Sequence, residues 1–147
     1  MSNISKQISH FLSAAPSYKF VVAPDEWMLE NLSVFDLGFN LATLLKENDK
    51  FVKEDISFII QDELTRLFYQ NINTHTEFGD YICLSNIGIL FEKELNINVL
   101  QTFQRLSRNT LVILQWEGEI KGSTLFFLSE NSKHKIDLRE INHIIIS

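Results

Sequence analysis

Ser85 ends an apolar run, Tyr81-Ile82-Cys83-Leu84, at the place where a nucleotide-hydrolysing protein of strand–helix–strand layout carries the acid that holds Mg²⁺. Serine brings no charge to a hydrated Mg²⁺ and contacts it only weakly. An earlier run, Lys19-Phe20-Val21-Val22, feeds Ala23-Pro24-Asp25-Glu26-Trp27, where the same layout carries a glycine-rich phosphate loop. Such a loop works because glycines let consecutive N–H groups converge on an anion while a lysine balances its charge. Between Val22 and Asn31 there is no glycine, lysine or threonine, and Asp25, Glu26 and Glu30 oppose a phosphate. At an effective dielectric near 20, one carboxylate about 4 Å from a phosphate charge costs about 4 kcal/mol. That is half of the about 8 kcal/mol that defines a micromolar affinity. The two strand ends therefore predict a nucleotide-binding shape without the chemistry of one: no catalytic residue, no cofactor and no metal.

The remaining reactive residue types are scattered. His10, His75, His134 and His143 stand at no metal-ligand spacing and have no cysteine cluster beside them. Glu92 and Glu94 follow a strand end, a common place for α/β sites, but two nearby carboxylates are equally ordinary on a solvated loop. The serines form no Gly-x-Ser-x-Gly elbow. Cys83 lies mid-strand without an activating partner and reads as a small buried hydrophobe. Residues suited to contact are better represented. Trp27 falls at a helix start and Trp116 at a strand end. A tryptophan at such a place is more often core or cover than contact, but an exposed Trp27 where the phosphate loop should be would favour a protein contact, since tryptophan is enriched among interface anchors. Arg105, Arg108 and Asn109 close a helix and give the most anion-attracting stretch, although a solvated helix face explains them as well. The interface candidates are Trp27, Arg105, Arg108, Asn109 and Trp116.

A chain of 147 residues, 45% hydrophobic with twelve phenylalanines, is long and apolar enough for one folded domain spanning 1–147. Its net charge of −6 disfavours a free-standing nucleic-acid binder. The charge is uneven: residues 51–99 hold three basic side chains against eight acids, while from residue 100 onward six face five. No apolar run approaches the roughly 20 residues of a membrane span. Met1-Ser2-Asn3-Ile4-Ser5-Lys6 carries no apolar signal block, and a single cysteine allows no intrachain disulfide. Both features predict a cytoplasmic protein.

The elements that must position these residues follow from periodicity. Ile4, Ile8, Phe11 and Leu12 predict a helix over 3–14, broken by Pro16-Ser17. Tyr18 to Val22 predicts a strand, and Pro24 with two acids suits the first turn of a helix. A short strand at Ser33–Asp36 and a helix at Leu37–Leu45 follow, and then a helix over 53–70 marked by Ile56, Ile59, Ile60, Leu64, Leu67 and Phe68. Asn71 to Asp80 reads as a polar connection. The strand at 81–85, a helix from about Asn96 to Arg108 and a strand at 110–116 form a strand–helix–strand unit. Gly118 and Gly122 punctuate a C-terminal β-ribbon, 119–121 with 123–128. Residues 129–135 read as a polar loop and Ile141–Ile146 as a terminal strand. The alternation predicts an α/β fold with a mainly parallel sheet covered by helices on both faces.

Ser85-Asn86-Ile87-Gly88-Ile89-Leu90-Phe91, Leu100 to Thr110 with its Leu-Ser-Arg-Asn segment, and Trp116-Glu117-Gly118-Glu119 together resemble BrxF, the small P-loop-type component of type 3 BREX (bacteriophage exclusion) systems. Leu37–Leu45 and the terminal Ile136-Asp137-Leu138 and Ile144-Ile145-Ile146 extend the likeness over most of the chain after Tyr18. The resemblance implies a P-loop-NTPase-like domain, but the family's phosphate loop and aspartate are missing here. The expectation is a non-catalytic adaptor or regulatory subunit of an antiphage complex that docks onto other proteins of the system. Its oligomeric state is open, a homo-oligomer included; any tie to nucleic acid is indirect, and no membrane is involved. The alternatives are a residual nucleotide-binding or ATPase subunit and an accessory protein that contacts DNA through Arg105 and Arg108.

Overall fold

Runs such as Phe20-Val21-Val22-Ala23 and Leu111-Val112-Ile113-Leu114 have no polar face to give to water, and every one of these eight side chains is buried. Such strands belong in the middle of a sheet covered on both sides. The computed structural model, which describes residues 3–47, 56–129 and 133–147, places them there. In chain order the elements are α1 (Asn3–Ser13), β1 (Phe20–Ala23), β2 (Val34–Asp36), α2 (Leu37–Glu47), α3 (Ile56–Gln70), β3 (Asn73–His75), β4 (Gly79–Ser85), α4 (Val99–Ser107), β5 (Leu111–Gln115), β6 (Gly118–Lys121), β7 (Thr124–Phe127), β8 (Lys135–Asp137) and β9 (His143–Ile145).

Five strands form a parallel sheet in the order β2-β4-β5-β1-β9, and β3 pairs antiparallel with the first half of β4. The register sets Val22 against Leu114, Cys83 against Ile113, Val34 against Cys83 and Val21 against Ile144. Ranked by position in the chain, the parallel strands run second, third, fourth, first, fifth. The first strand thus lies inside the sheet, flanked by the two laid down last.

Alternate side chains of each strand serve opposite faces. Phe20, Val22, Ile82, Leu84, Val112 and Leu114 pack beneath α2, α3 and α4 through Leu41, Ile60, Leu64, Phe68 and Phe103. The same cluster takes in Leu125 and Ile136 of a small antiparallel sheet, β6-β7-β8. Val21, Ala23, Tyr81, Cys83, Leu111 and Ile113 face the other way, under Ile8 of α1 and under Met28 and Leu29 of the segment between β1 and β2.

That segment departs from expectation. Pro24, Asp25 and Glu26 open only a four-residue 3₁₀ turn, Glu26–Leu29. Residues 24–33 must carry the chain past β5 and β4 to the edge, about 14 Å at the usual strand spacing. Ten residues reach that distance without a helix. The helical cover for this face comes from α1 instead.

Smaller differences have local causes. β1 begins at Phe20 because Lys19 ties α4 to β5: its N–H donates to the Ser107 carbonyl at 2.7 Å and its carbonyl accepts from Val112 N–H at 2.8 Å. Asn71 to Asp80 contains strand β3, whose polar side chains suit an edge and hide the pattern. α4 begins at Val99, where Asn98 Oδ1 accepts from Gln101 N–H at 3.0 Å, after a 3₁₀ turn, Lys93–Leu95, closed by Asn96 at φ 50°. The ribbon is three-stranded, because β8 begins at Lys135 inside the expected loop, and it is not terminal, because β9 returns to the main sheet. A 3₁₀ turn, Leu138–Glu140, occupies the space before β9, which spans His143–Ile145. The expected start of α3 at 53–55 and part of the 129–135 loop lie outside the described residues.

Candidate functional site

Open parallel sheets bind ligands beyond the carboxyl ends of their strands, at the point where strand order reverses. At the carboxyl end of β1 the backbone groups are already engaged. Val22 carbonyl accepts from Ile146 N–H at 2.9 Å, and Ala23 carbonyl from Trp116 N–H at 3.0 Å. Pro24 has no N–H to offer. Asp25 is extended (φ −120°, ψ 137°), its side chain caps nothing, and its carbonyl accepts from Met28 N–H at 3.1 Å. A single 3₁₀ turn aligns few peptide dipoles, so it does not reproduce the field of a helix N-terminus. With Asp25, Glu26 and Glu30 all exposed around it, the turn presents negative charge to solvent.

Ser85 ends β4 in register with Asp36 at the end of β2. Asp36 is the nearest counterpart of a metal-holding acid, and sequence reasoning did not single it out. Its carboxylate is committed to structure: Oδ1 accepts from Phe39 N–H at 2.8 Å, capping α2, and from Asn86 Nδ2 at 3.0 Å. Two strands, β4 and β5, separate it from β1. Among the described residues no group of three or more His, Cys, Asp or Glu side chains could hold a metal ion. Cys83 is fully buried, and burial pushes its thiol from 9.0 up to about 12, far from a reactive thiolate. His75 Nδ1 accepts from Glu77 N–H at 3.0 Å, and His143 Nδ1 meets the Ile141 carbonyl at 2.8 Å.

The contact candidates divide into three places. Trp116 is buried, 3% exposed, and so has little surface for a partner. Its Nε1–H donates to the carbonyls of Glu119 at 3.3 Å and Phe126 at 3.2 Å, pinning the small sheet to the end of β5. Arg105, Arg108 and Asn109 are exposed at the amino edge of the sheet. Arg105 Nη1 donates to Gln61 Oε1 at 3.3 Å, and the Arg108 guanidinium lies 5.7 Å from the Tyr18 ring centre. Trp27 follows the carboxyl end of β1 on the opposite face, apart from the arginines, and is 63% exposed. The indole N–H of Trp27 has no acceptor among the described residues.

Trp27 borders a groove of about 170 Å³. α1 contributes Ile4, Ser5 and Ile8, residues 27–32 contribute Trp27, Met28, Glu30, Asn31 and Leu32, and the β3–β4 hairpin contributes His75 and Phe78. Each wall is held in place. Ile8, Met28 and Leu29 are anchored in the core beneath. Tyr81 Oη accepts from Ser33 N–H at 3.1 Å, and the His75 ring stacks on Phe78 at 4.0 Å between centres. The sequence points to Trp27 but not to the hairpin wall, because the polar β3 (Asn73–His75) has the composition of a connection. The Asn-Thr-His run opposite Gly79 was the available signal.

Comparison with family models, with curated proteins and with solved structures returns no match. The fold defines an α/β protein with a mainly parallel sheet, and among the described residues no helix is long and apolar enough to cross a membrane.

Proposed function

We propose that this chain is a non-hydrolysing, P-loop-like adaptor or regulatory subunit of a cytoplasmic, BREX-like antiphage complex, acting through protein contacts. One observation carries the reading. The turn after β1, where a phosphate loop would sit in an α/β fold of this kind, is an acidic 3₁₀ turn with no free run of glycine amides. The resemblance of residues 81–119 to BrxF supports the family half of the proposal. The central place of β1, beside β5 and one strand from β4, supports the P-loop-like half, because it sets the two expected phosphate and Mg²⁺ positions near each other on one edge. Trp27, exposed at that position, supports docking onto proteins.

Calorimetry with ATP, ADP and GTP in the presence of Mg²⁺ tests the first half. The expected result is no saturable heat, and a dissociation constant in the low micromolar range overturns the reading in favour of a nucleotide-binding subunit. Co-purification with tagged components of the defence system tests the second half. Recovery of an isolated monomer that captures none of them removes it. DNA contact through Arg105 and Arg108 instead predicts a salt-sensitive mobility shift that is lost on charge reversal of both.

A further inference from the structure

We propose that the groove beside Trp27 receives a cationic amphipathic segment of a partner protein, seating one apolar side chain against Trp27 and Phe78 and turning its Lys or Arg side chains to the acids around the rim. The inference rests on the adaptor reading and states the chemistry of what is docked.

Size and charge both point to this occupant. An apolar cavity of about 150 Å³ admits a benzene ring, so a groove of about 170 Å³ has room for one aromatic or branched aliphatic side chain. Its apolar walls come from Ile4, Ile8, Met28, Leu32 and Phe78. Glu30 lines the groove itself. The segments that form the two walls outside α1, residues 24–33 and 73–80, add Asp25, Glu26 and Glu77 beside it and not one Lys or Arg. Asp80 accepts from Thr74 Oγ1 on the opposite face of β4 and does not add to the rim. Asp25, Glu26, Glu30 and Glu77 have no ion-pair partner among the described residues. Lys6 is the single Lys or Arg of α1. Two residues from both Ile4 and Ile8, it projects about 200° away around the helix. The field at the rim is therefore negative, which repels nucleic acid and acidic peptides and favours a basic segment. An exposed indole whose N–H lacks an acceptor gains both apolar burial and a hydrogen bond when a peptide covers it.

The test uses the purified full chain and two synthetic peptides with one apolar pattern at helical spacing: leucine with lysine, and leucine with glutamate. The Lys–Leu peptide is expected to bind saturably and to shift tryptophan emission to the blue. Trp27→Ser, which changes an exposed side chain, is expected to weaken binding about tenfold or more. Glu26→Gln with Glu30→Gln is expected to weaken it several-fold and to flatten its salt dependence. Equal binding of the Glu–Leu peptide, or Lys–Leu binding untouched by Trp27→Ser, overturns the proposal. A dimer in light scattering that Trp27→Ser dissolves also overturns it, by making the occupant a second copy. If defence proteins still co-purify with the Trp27→Ser chain, the groove proposal falls and the adaptor reading stands. If the wild-type chain captures none while the Lys–Leu peptide still binds at Trp27, the adaptor reading falls and the groove stands.

Discussion

Cys83 shows how completely position governs the chemistry of a side chain. It sits in the central part of β4, in register with Ile113 on one side and Val34 on the other, and no solvent reaches it. A water-soluble thiol reagent is expected to leave the folded chain unlabelled at about pH 8 and to label it fully once it is unfolded. The raised thiol also fixes the sign of a pH effect. In the folded chain it keeps its proton to about pH 12, while in the unfolded chain it loses the proton near 9.0. The folded state therefore binds more protons above pH 9, and its stability falls as pH rises through that window. The loss is at most about 1.4 kcal/mol per pH unit. Denaturation midpoints of wild type and Cys83→Ala between about pH 8 and pH 10 check it: the wild type should decline more steeply, and parallel slopes would remove the assignment. The two tryptophans make a related point. Both fall at the ends of elements, where a tryptophan serves as core, cover or contact. Trp116 is folded under the small sheet by two carbonyl acceptors, while Trp27 is left outside. Nothing in the flanking residues distinguishes them; the segments that arrive over each one do.

At the scale of elements, one tight junction joins the start of α2 to the loop after β4. A Cβ on Gly38 would lie 2.4 Å from the Asn86 carbonyl oxygen and 2.5 Å from its side-chain nitrogen. Asn86 cannot yield easily, since it holds φ 55° and donates to Asp36. Alanine is the better helix former by about 1 kcal/mol, yet the clash with backbone decides the sign. Gly38→Ala is expected to destabilise the fold by about 1–3 kcal/mol, measured as a lower urea midpoint. An unchanged or higher midpoint would show that the junction has room. The helices were legible in the sequence because their apolar residues repeat every three to four positions in a stripe, and the central strands because they are unbroken apolar runs too short for a helix. Elements without such a stripe or run were not. β3 is Asn-Thr-His, and the 3₁₀ turns at 26–29, 93–95 and 138–140 are too short to show a period.

For the whole molecule, the unusual feature is how the sheet is covered. Among the described residues, α2, α3, α4 and the small sheet lie on one face, and the other depends on α1 with residues 24–32. Ile8 is the single buried side chain of α1. Ile8→Asp would place an unpaired carboxylate in the apolar cluster that includes Val21 and Ile113, and is expected to cost at least about 3 kcal/mol. Loss of cooperative unfolding, or dye binding to the uncovered face, would register it; a fold as stable as wild type would show that α1 is dispensable. Taken alone, the order of amino acids determined that the chain forms an α/β fold with apolar parallel strands at its centre, and that the turn after β1 lacks the glycines and lysine of a phosphate loop. Both are local properties, written in consecutive residues. Only the tertiary structure decided that β1 lies between the last two strands, that Trp116 is internal and Trp27 external, and that Ile4, Trp27 and Phe78 meet around one acidic groove. Those outcomes depend on which distant segments pack together, and residues about 20 to 120 positions apart carry no mark of that in their spacing.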